Sequence, residues 1–251
     1  MLPIGDDNSY RLRTPIVTWI LIALNIGVFI FFQGFGTDEQ VVYSYSMVPQ
    51  EIISGKDIVT PPAIVMDRWS GSRYTIPGLA PTPVPVYVTI LIAMFMHGGI
   101  AHIAGNMLFL SIFGDNVEDR LGHFRFLLFY LVSGLVSAAA HILVCVLTQD
   151  ALLTPTLGAS GAISGVMGAY LLLFPGNRVR VLLFNIIPTT VSAVVVIGLW
   201  FIFQLVNGMG YLGGTRGDGV AYAAHIGGFL YGFFRVRRYI PKRRTVRYYY
   251  Y

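Results

Sequence analysis

Gly158-Ala159-Ser160-Gly161-Ala162-Ile163-Ser164-Gly165-Val166-Met167-Gly168-Ala169-Tyr170-Leu171-Leu172-Leu173-Phe174 holds no charged side chain and sets Gly161, Gly165 and Gly168 along an apolar run. Small residues at this spacing let lipid-embedded helices approach closely. A second apolar stretch carries His225 in Ala224-His225-Ile226-Gly227-Gly228. An ionisable group in a bilayer is costly, which makes it a functional candidate. A serine and a histidine on two such segments point to hydrolytic chemistry inside a membrane.

Composition agrees. The 251 residues are 55% hydrophobic and 12% charged, against about 25% charged in ordinary soluble domains. Mean hydropathy is +0.66. A chain this apolar is read as an integral membrane protein. The net charge of +5 sits beside apolar segments, so lipid headgroups rather than nucleic acid are its expected partner. The one cysteine, Cys145, cannot form an intramolecular disulfide and is read as a small buried hydrophobe.

Six spans are expected: Pro15–Phe32, a span starting near Ala101 within Val86–Phe113, His123–Leu147, Gly158–Phe174, Val181–Val206 and Asp218–Phe234. The fold class is therefore an all-α membrane protein, a six-helix bundle over residues 15–234. Residues 1–14 form an N-terminal segment and residues 235–251 a basic tail. A first loop over 33–85 is rich in proline, so much of it cannot be regular helix; Trp69, Tyr74 and Ile76 place it on the membrane surface. Gly114–Gly122 reads as a polar turn and Asn207–Gly217 as a glycine-rich loop. The first span has a basic flank like a signal peptide but no clear cleavage site, so it is expected to be retained.

Six spans put both termini on one side, with 13 of the 17 Lys and Arg there and 4 on the other. The positive-inside rule makes that side cytoplasmic. His102, Asn106, Ser160 and His225 then all lie near the outer ends of their spans, within about 10 Å of the interface at 1.5 Å per residue.

The roles follow from chemistry. Serine needs an adjacent base to act as a nucleophile, and His225 can take its proton and return it to a leaving amine. The oxyanion formed needs preorganised donors. The Ser160 backbone amide, at a helix start, is one. His102 and Asn106, four apart on one helix face, are two more. None of the 12 acidic residues falls inside an expected span, Asp218 marking only the edge of the sixth, so a Ser160–His225 dyad is predicted, with His225 oriented by packing or by its partners. Asp218 is expected at the surface.

His97-x4-His102-x3-Asn106, the Gly-x-Val-Glu-x-x-x-Gly turn at Gly114–Gly122 (one residue longer before Val117), Gly158-Ala159-Ser160-Gly161 and Ala224-His225-x-Gly227 resemble the rhomboid family of intramembrane serine proteases, in order, over about Val86–Gly232. The resemblance implies Ser160 as nucleophile, His225 as base, and His102, Asn106 and the Ser160 amide as oxyanion stabilisers, with Gly158 supporting the motif. It also implies a membrane-lying first loop and a substrate gate on the fifth helix with Trp200. Substrates would be transmembrane proteins, cleaved in or beside their spanning segments. No cofactor is implied, and the membrane would be that of a prokaryotic cell. Two departures stand out: Ser164 replaces the aromatic residue four after the nucleophile, and Arg68-Trp69 reverses a first-loop Trp-Arg pair.

Blander readings apply elsewhere. His97 fixes a loop–helix junction, His123 sits at an interface, and His141 packs between helices or at an interface. A zinc site from His97, His102 and Asn106 lacks a His-Glu-x-x-His helix and an intramembrane carboxylate. A transporter lacks charged midplane residues. The remaining alternative is a non-catalytic rhomboid-like binder or chaperone of transmembrane helices.

Overall fold

The computed structural model describes residues 1–66, 73–184, 186–212 and 221–241. Arg68-Trp69, Asp218 and the tail from Lys242 lie outside the described residues. Strand β1 (Leu2–Asp6) precedes α1 (Ile16–Gly27), which runs on as a turn of π-helix over Val28–Phe32. The first loop folds into α2 (Glu39–Tyr45), α3 (Pro49–Ser54) and the antiparallel pair β2 (Ala63–Met66) and β3 (Arg73–Ile76). The short α4 (Thr89–Ala93) leads to α5 (Ile100–Leu121), α6 (His123–Thr148) and α7 (Ser160–Leu173). Strands β4 (Arg178–Leu183) and β5 (Ile187–Ser192) precede α8 (Ala193–Leu212) and α9 (Tyr222–Arg235).

Helix α7 is the centre. Every residue from Gly161 to Tyr170 is buried, as expected of a helix apolar on all sides. Its glycines are poor helix formers, so tertiary packing rather than propensity holds the helix. Helix α9 covers it most extensively, with α6 and α5 completing the surround. Phe113, Phe126, Phe129, Tyr130 and Tyr170 fill the space below, all fully buried. Outside, large apolar side chains face away from the core, among them Trp19 and Ile20 on α1, Leu135 and Leu143 on α6, and Ile202 and Phe203 on α8. An apolar skin this broad is unusual for a soluble monomer. Among the described residues α6 is long and apolar enough to cross a membrane by length and composition; Ile16–Phe32, Ser160–Leu173 and Ala193–Met209 are apolar but shorter.

Two expected elements differ. The polar turn at Gly114–Gly122 is instead the last two turns of α5, ending at Gly122, whose φ is +79°. Helix here is tolerated because Asp115, Asn116, Glu118 and Asp119 each find a partner. Glu118, fully buried, accepts from the Val17 and Thr18 backbone N–H groups at 2.8 and 2.7 Å and from Thr18 Oγ1 at 2.7 Å, and its other contact is His123 Nδ1 at 2.6 Å. It thereby satisfies orphan donors at the start of α1 and complements that helix's dipole. Asp115 pairs with Arg11. Asn116 donates to Asp6 at 2.8 Å and to Asn8 Oδ1 at 2.7 Å. Asp115, Glu118 and Asp119 thus lie within a long helix, not beyond its end.

The expected fifth span begins too early. Its first part is the β4–β5 hairpin, in which Leu182 pairs with Pro188. Proline cannot continue a helix but is accepted on an edge strand, and β5 is an edge in the order β1-β4-β5. Val179 and Val181 alternate inward while Arg178 and Arg180 stay exposed. The N-terminal segment supplies the third strand, with Leu2 opposite Leu182. At its end Tyr170 donates to Asp6 at 2.5 Å, and burial pushes the Asp6 carboxyl above its ordinary range despite that bond. Helix α8 starts at Ala193 and runs through Asn207 to Leu212, taking over the start of the expected glycine-rich loop.

Glu118→Ala leaves buried donors at the start of α1 unpaired, so it is predicted to lower stability by about 3 kcal/mol, read from unfolding in detergent micelles, with Glu118→Gln losing less.

Candidate active site

The loop before α7 is built to bring backbone close to a ring. Gly158 has φ +130°, and a Cβ there would lie 2.9 Å from His102 Cε1 and Nε2. Only glycine satisfies both conditions. Its N–H donates to Ala93 O at 2.8 Å, and two residues earlier Thr156 bridges to Met47 of the first loop. Ser160 follows as the first residue of α7, where backbone N–H groups have no intrahelical acceptor.

Helices α7 and α9 meet backbone to backbone. A Cβ on Gly228 would fall 2.2 Å from Gly161 O, one on Gly232 1.9 Å from Gly165 O, and one on Gly168 2.2 Å from Phe229 O. From α6, Ser137 ties in by donating to Ala224 O at 2.9 Å. This contact sets His225 beside Ser160, with Nε2 2.8 Å from Ser160 Oγ. That is within the reach a serine and its base require. On the ring's other side, Nδ1 lies 2.9 Å from Gln204 Oε1 of α8. Trp200, one turn earlier on α8, tilts its ring over the imidazole at a centroid distance of 6.0 Å and 38°. Ser164, at the position where the resemblance leads one to expect an aromatic side chain, instead bonds its own helix at Ser160 O, 2.6 Å away. The aromatic contact to His225 comes from a different helix.

His102 and Asn106 line the same cavity, of about 1120 Å³, as Ser160, Trp200 and His225. His102 Nδ1 accepts from the Gly98 N–H at 3.3 Å, which in the neutral ring leaves Nε2 carrying hydrogen on the edge facing Gly158. Asn106 is buried, and its Nδ2 has no hydrogen-bond partner among the described residues. The cavity therefore holds a serine hydroxyl on a base and two side-chain donors, the set that attack on a carbonyl uses.

The other histidines stand apart from the hydroxyl. His97 is fully buried at the junction before α5; Gln33 grips its backbone, accepting from its N–H and donating to its C=O, both at 2.9 Å. His141 lies in the cavity wall, 3.1 Å from Thr156 Oγ1 and 3.6 Å from Cys145 Sγ. His123 belongs with Glu118 at the far end of α5. No group of three or more His, Cys, Asp or Glu able to hold a metal occurs among the described residues. Sequence reasoning missed Gln204. An amide within the apolar run over 194–206 was the available sign.

The chain belongs to the rhomboid family, whose Rhomboid domain matches residues 85–241. That family is a helical, membrane-embedded one. Among similar proteins, Rhomboid protease GluP of Bacillus subtilis is 34% identical over 58% of this chain and 24% of its own length. Rhomboid protein 1, mitochondrial, of Saccharomyces cerevisiae is 32% identical over 64% of this chain and 45% of its own. RHOMBOID-like protein 2 of Arabidopsis thaliana is 37% identical over 57% and 39%. The chain thus spans less than half the length of each of these relatives.

Gly232→Ala drives a methyl group into the Gly165 carbonyl and is predicted to cost about 1–3 kcal/mol. Gly198→Ala on α8, where a Cβ meets nothing within 4 Å, is predicted to be neutral or stabilising by up to about 1 kcal/mol. Unfolding of both variants in detergent micelles checks the contrast.

Proposed function

We propose that this protein is an intramembrane serine endopeptidase, cleaving peptide bonds in or next to transmembrane segments of other membrane proteins. The observation that carries the reading is the 2.8 Å contact between Ser160 Oγ and His225 Nε2 within a rhomboid domain. Six helices, α1, α5, α6, α7, α8 and α9, cross the membrane over residues 15–234. Both termini lie in the cytoplasm, following the basic-residue bias, and the cavity opens to the outer face of a prokaryotic cell membrane.

In the reaction, His225 Nε2 takes the Ser160 proton as Oγ attacks the scissile carbonyl. The negative charge that develops on the carbonyl oxygen meets His102 Nε2–H, Asn106 Nδ2–H and the Ser160 N–H. Donors fixed by the fold need no reorganisation as that charge develops. Collapse of the tetrahedral species breaks the C–N bond, and His225 passes its proton to the departing amine. Water admitted from the outer face then hydrolyses the Ser160 ester by the same steps. A helical peptide bond is shielded by its own hydrogen bonding, so the substrate unwinds locally to enter.

In a reconstituted assay with a model transmembrane substrate, Ser160→Ala and His225→Ala each abolish cleavage while the fold survives. His102→Ala slows it by about 10²–10³. Full activity of purified Ser160→Ala refutes the proposal, whereas a wild type that binds the substrate without cutting it favours a non-catalytic binder of transmembrane helices.

A further inference from the structure

The reaction above gives Gln204 nothing to do, yet its placement is specific. It lies on α8, whose neighbouring side chains Leu199, Ile202, Phe203 and Val206 are exposed apolar groups, while Gln204 itself is 5% exposed. Its carbonyl oxygen is 2.9 Å from His225 Nδ1, and the opposite ring nitrogen is 2.8 Å from Ser160 Oγ. The three side chains come from three helices, α8, α9 and α7, and form one chain of contacts.

An amide oxygen only accepts, so Nδ1 must carry the hydrogen. Nε2 then presents a lone pair to Ser160, the form able to take the serine proton. The reversed amide would set a donor against Nδ1 and leave Nε2 protonated. Ser160 would then face a hydrogen where the reaction needs a lone pair. Trp200 meanwhile limits the tilt of the ring from one face.

Resting on the reading of Ser160 and His225 as the reacting pair, we propose that Gln204 is the positioning residue that fixes the tautomer and orientation of His225. In soluble serine hydrolases a buried carboxylate holds the histidine in this way. Helices α7, α8 and α9 contain no Asp or Glu among their described residues, and a charge held there would be costly. An amide does the same geometric work while remaining neutral. It gives less electrostatic support to the imidazolium than a carboxylate does.

The test uses the full chain in micelles. In protein labelled with ¹⁵N-histidine, with the His225 signals assigned by their loss in His225→Gln, the wild type shows Nδ1 protonated and Nε2 bare. Gln204→Met, close in volume and unable to accept strongly, gives a mixture of tautomers. Its kcat falls about 10- to 100-fold, the scale of lost outer-shell support for a histidine, while KM and the unfolding midpoint hold. Gln204→Glu, which restores an acceptor oxygen, recovers the Nδ1–H tautomer and most of the rate. The proposal is overturned by a wild type protonated at Nε2, by Gln204→Met keeping its tautomer whatever its rate, or by Gln204→Glu behaving like Gln204→Met. A wild type that cleaves no faster than Ser160→Ala sinks the protease reading instead, and the ring spectra still decide what Gln204 does.

Discussion

Two helix backbones in direct contact govern this molecule. A serine hydroxyl extends little beyond its own helix, and helices separated by ordinary side chains sit about 8–10 Å apart. A hydrogen bond from serine to a histidine on a neighbouring helix thus requires the backbones to close in. Gly161 against Gly228 and Gly165 against Gly232 remove the atoms that would keep them apart. In lipid there is little hydrophobic force between helices, so close packing of this kind is itself the glue. One feature therefore both assembles the bundle's centre and sets the distance between Ser160 and His225.

The opposite end of the bundle is organised by different physics. Glu118 lies sixteen residues beyond His102 on α5, about 24 Å along the helix axis. There the buried carboxylates find backbone N–H groups, Arg11, Asn116 and Tyr170. The cavity end gathers the Ser160 hydroxyl, the imidazoles of His102, His141 and His225 and the Asn106 amide, with Asp150 also in its lining. Ser160 and His225 hydrogen-bond to each other and to the Gln204 amide rather than to a carboxylate, and in weakly polar surroundings aligned dipoles act more strongly than in water. The side chains that meet the other parts of the His225 ring, Gln204 and Trp200, carry no charge.

How much of this was legible in the sequence follows from the range of each interaction. The glycine spacing around Ser160 is local, and the depth of His102, Ser160 and His225 along their helices follows from residue counts; these polar groups do share one cavity. The extension of α5 through Asp115 and Glu118 was not legible, because the groups that make it tolerable lie about a hundred residues away, at Arg11, Val17 and Thr18. The β4–β5 hairpin looked like the start of a long apolar span. Its alternation is short, and the strand that completes its sheet comes from the chain's first residues. Pro188 was the one local sign that helix could not begin there. The missing aromatic at Ser164 left the surroundings of His225 open; Trp200 and Gln204 contact its ring from another helix.

The central claim is that His225, held against Ser160 by bare helix contacts, makes that hydroxyl reactive. Mapping the site of fluorophosphonate attachment by mass spectrometry on the protein in micelles tests it most directly. The account predicts one adduct, on Ser160, in the wild type and none when His225 is replaced by alanine. Attachment that proceeds equally well without the imidazole, or that modifies other serines while sparing Ser160, would contradict it.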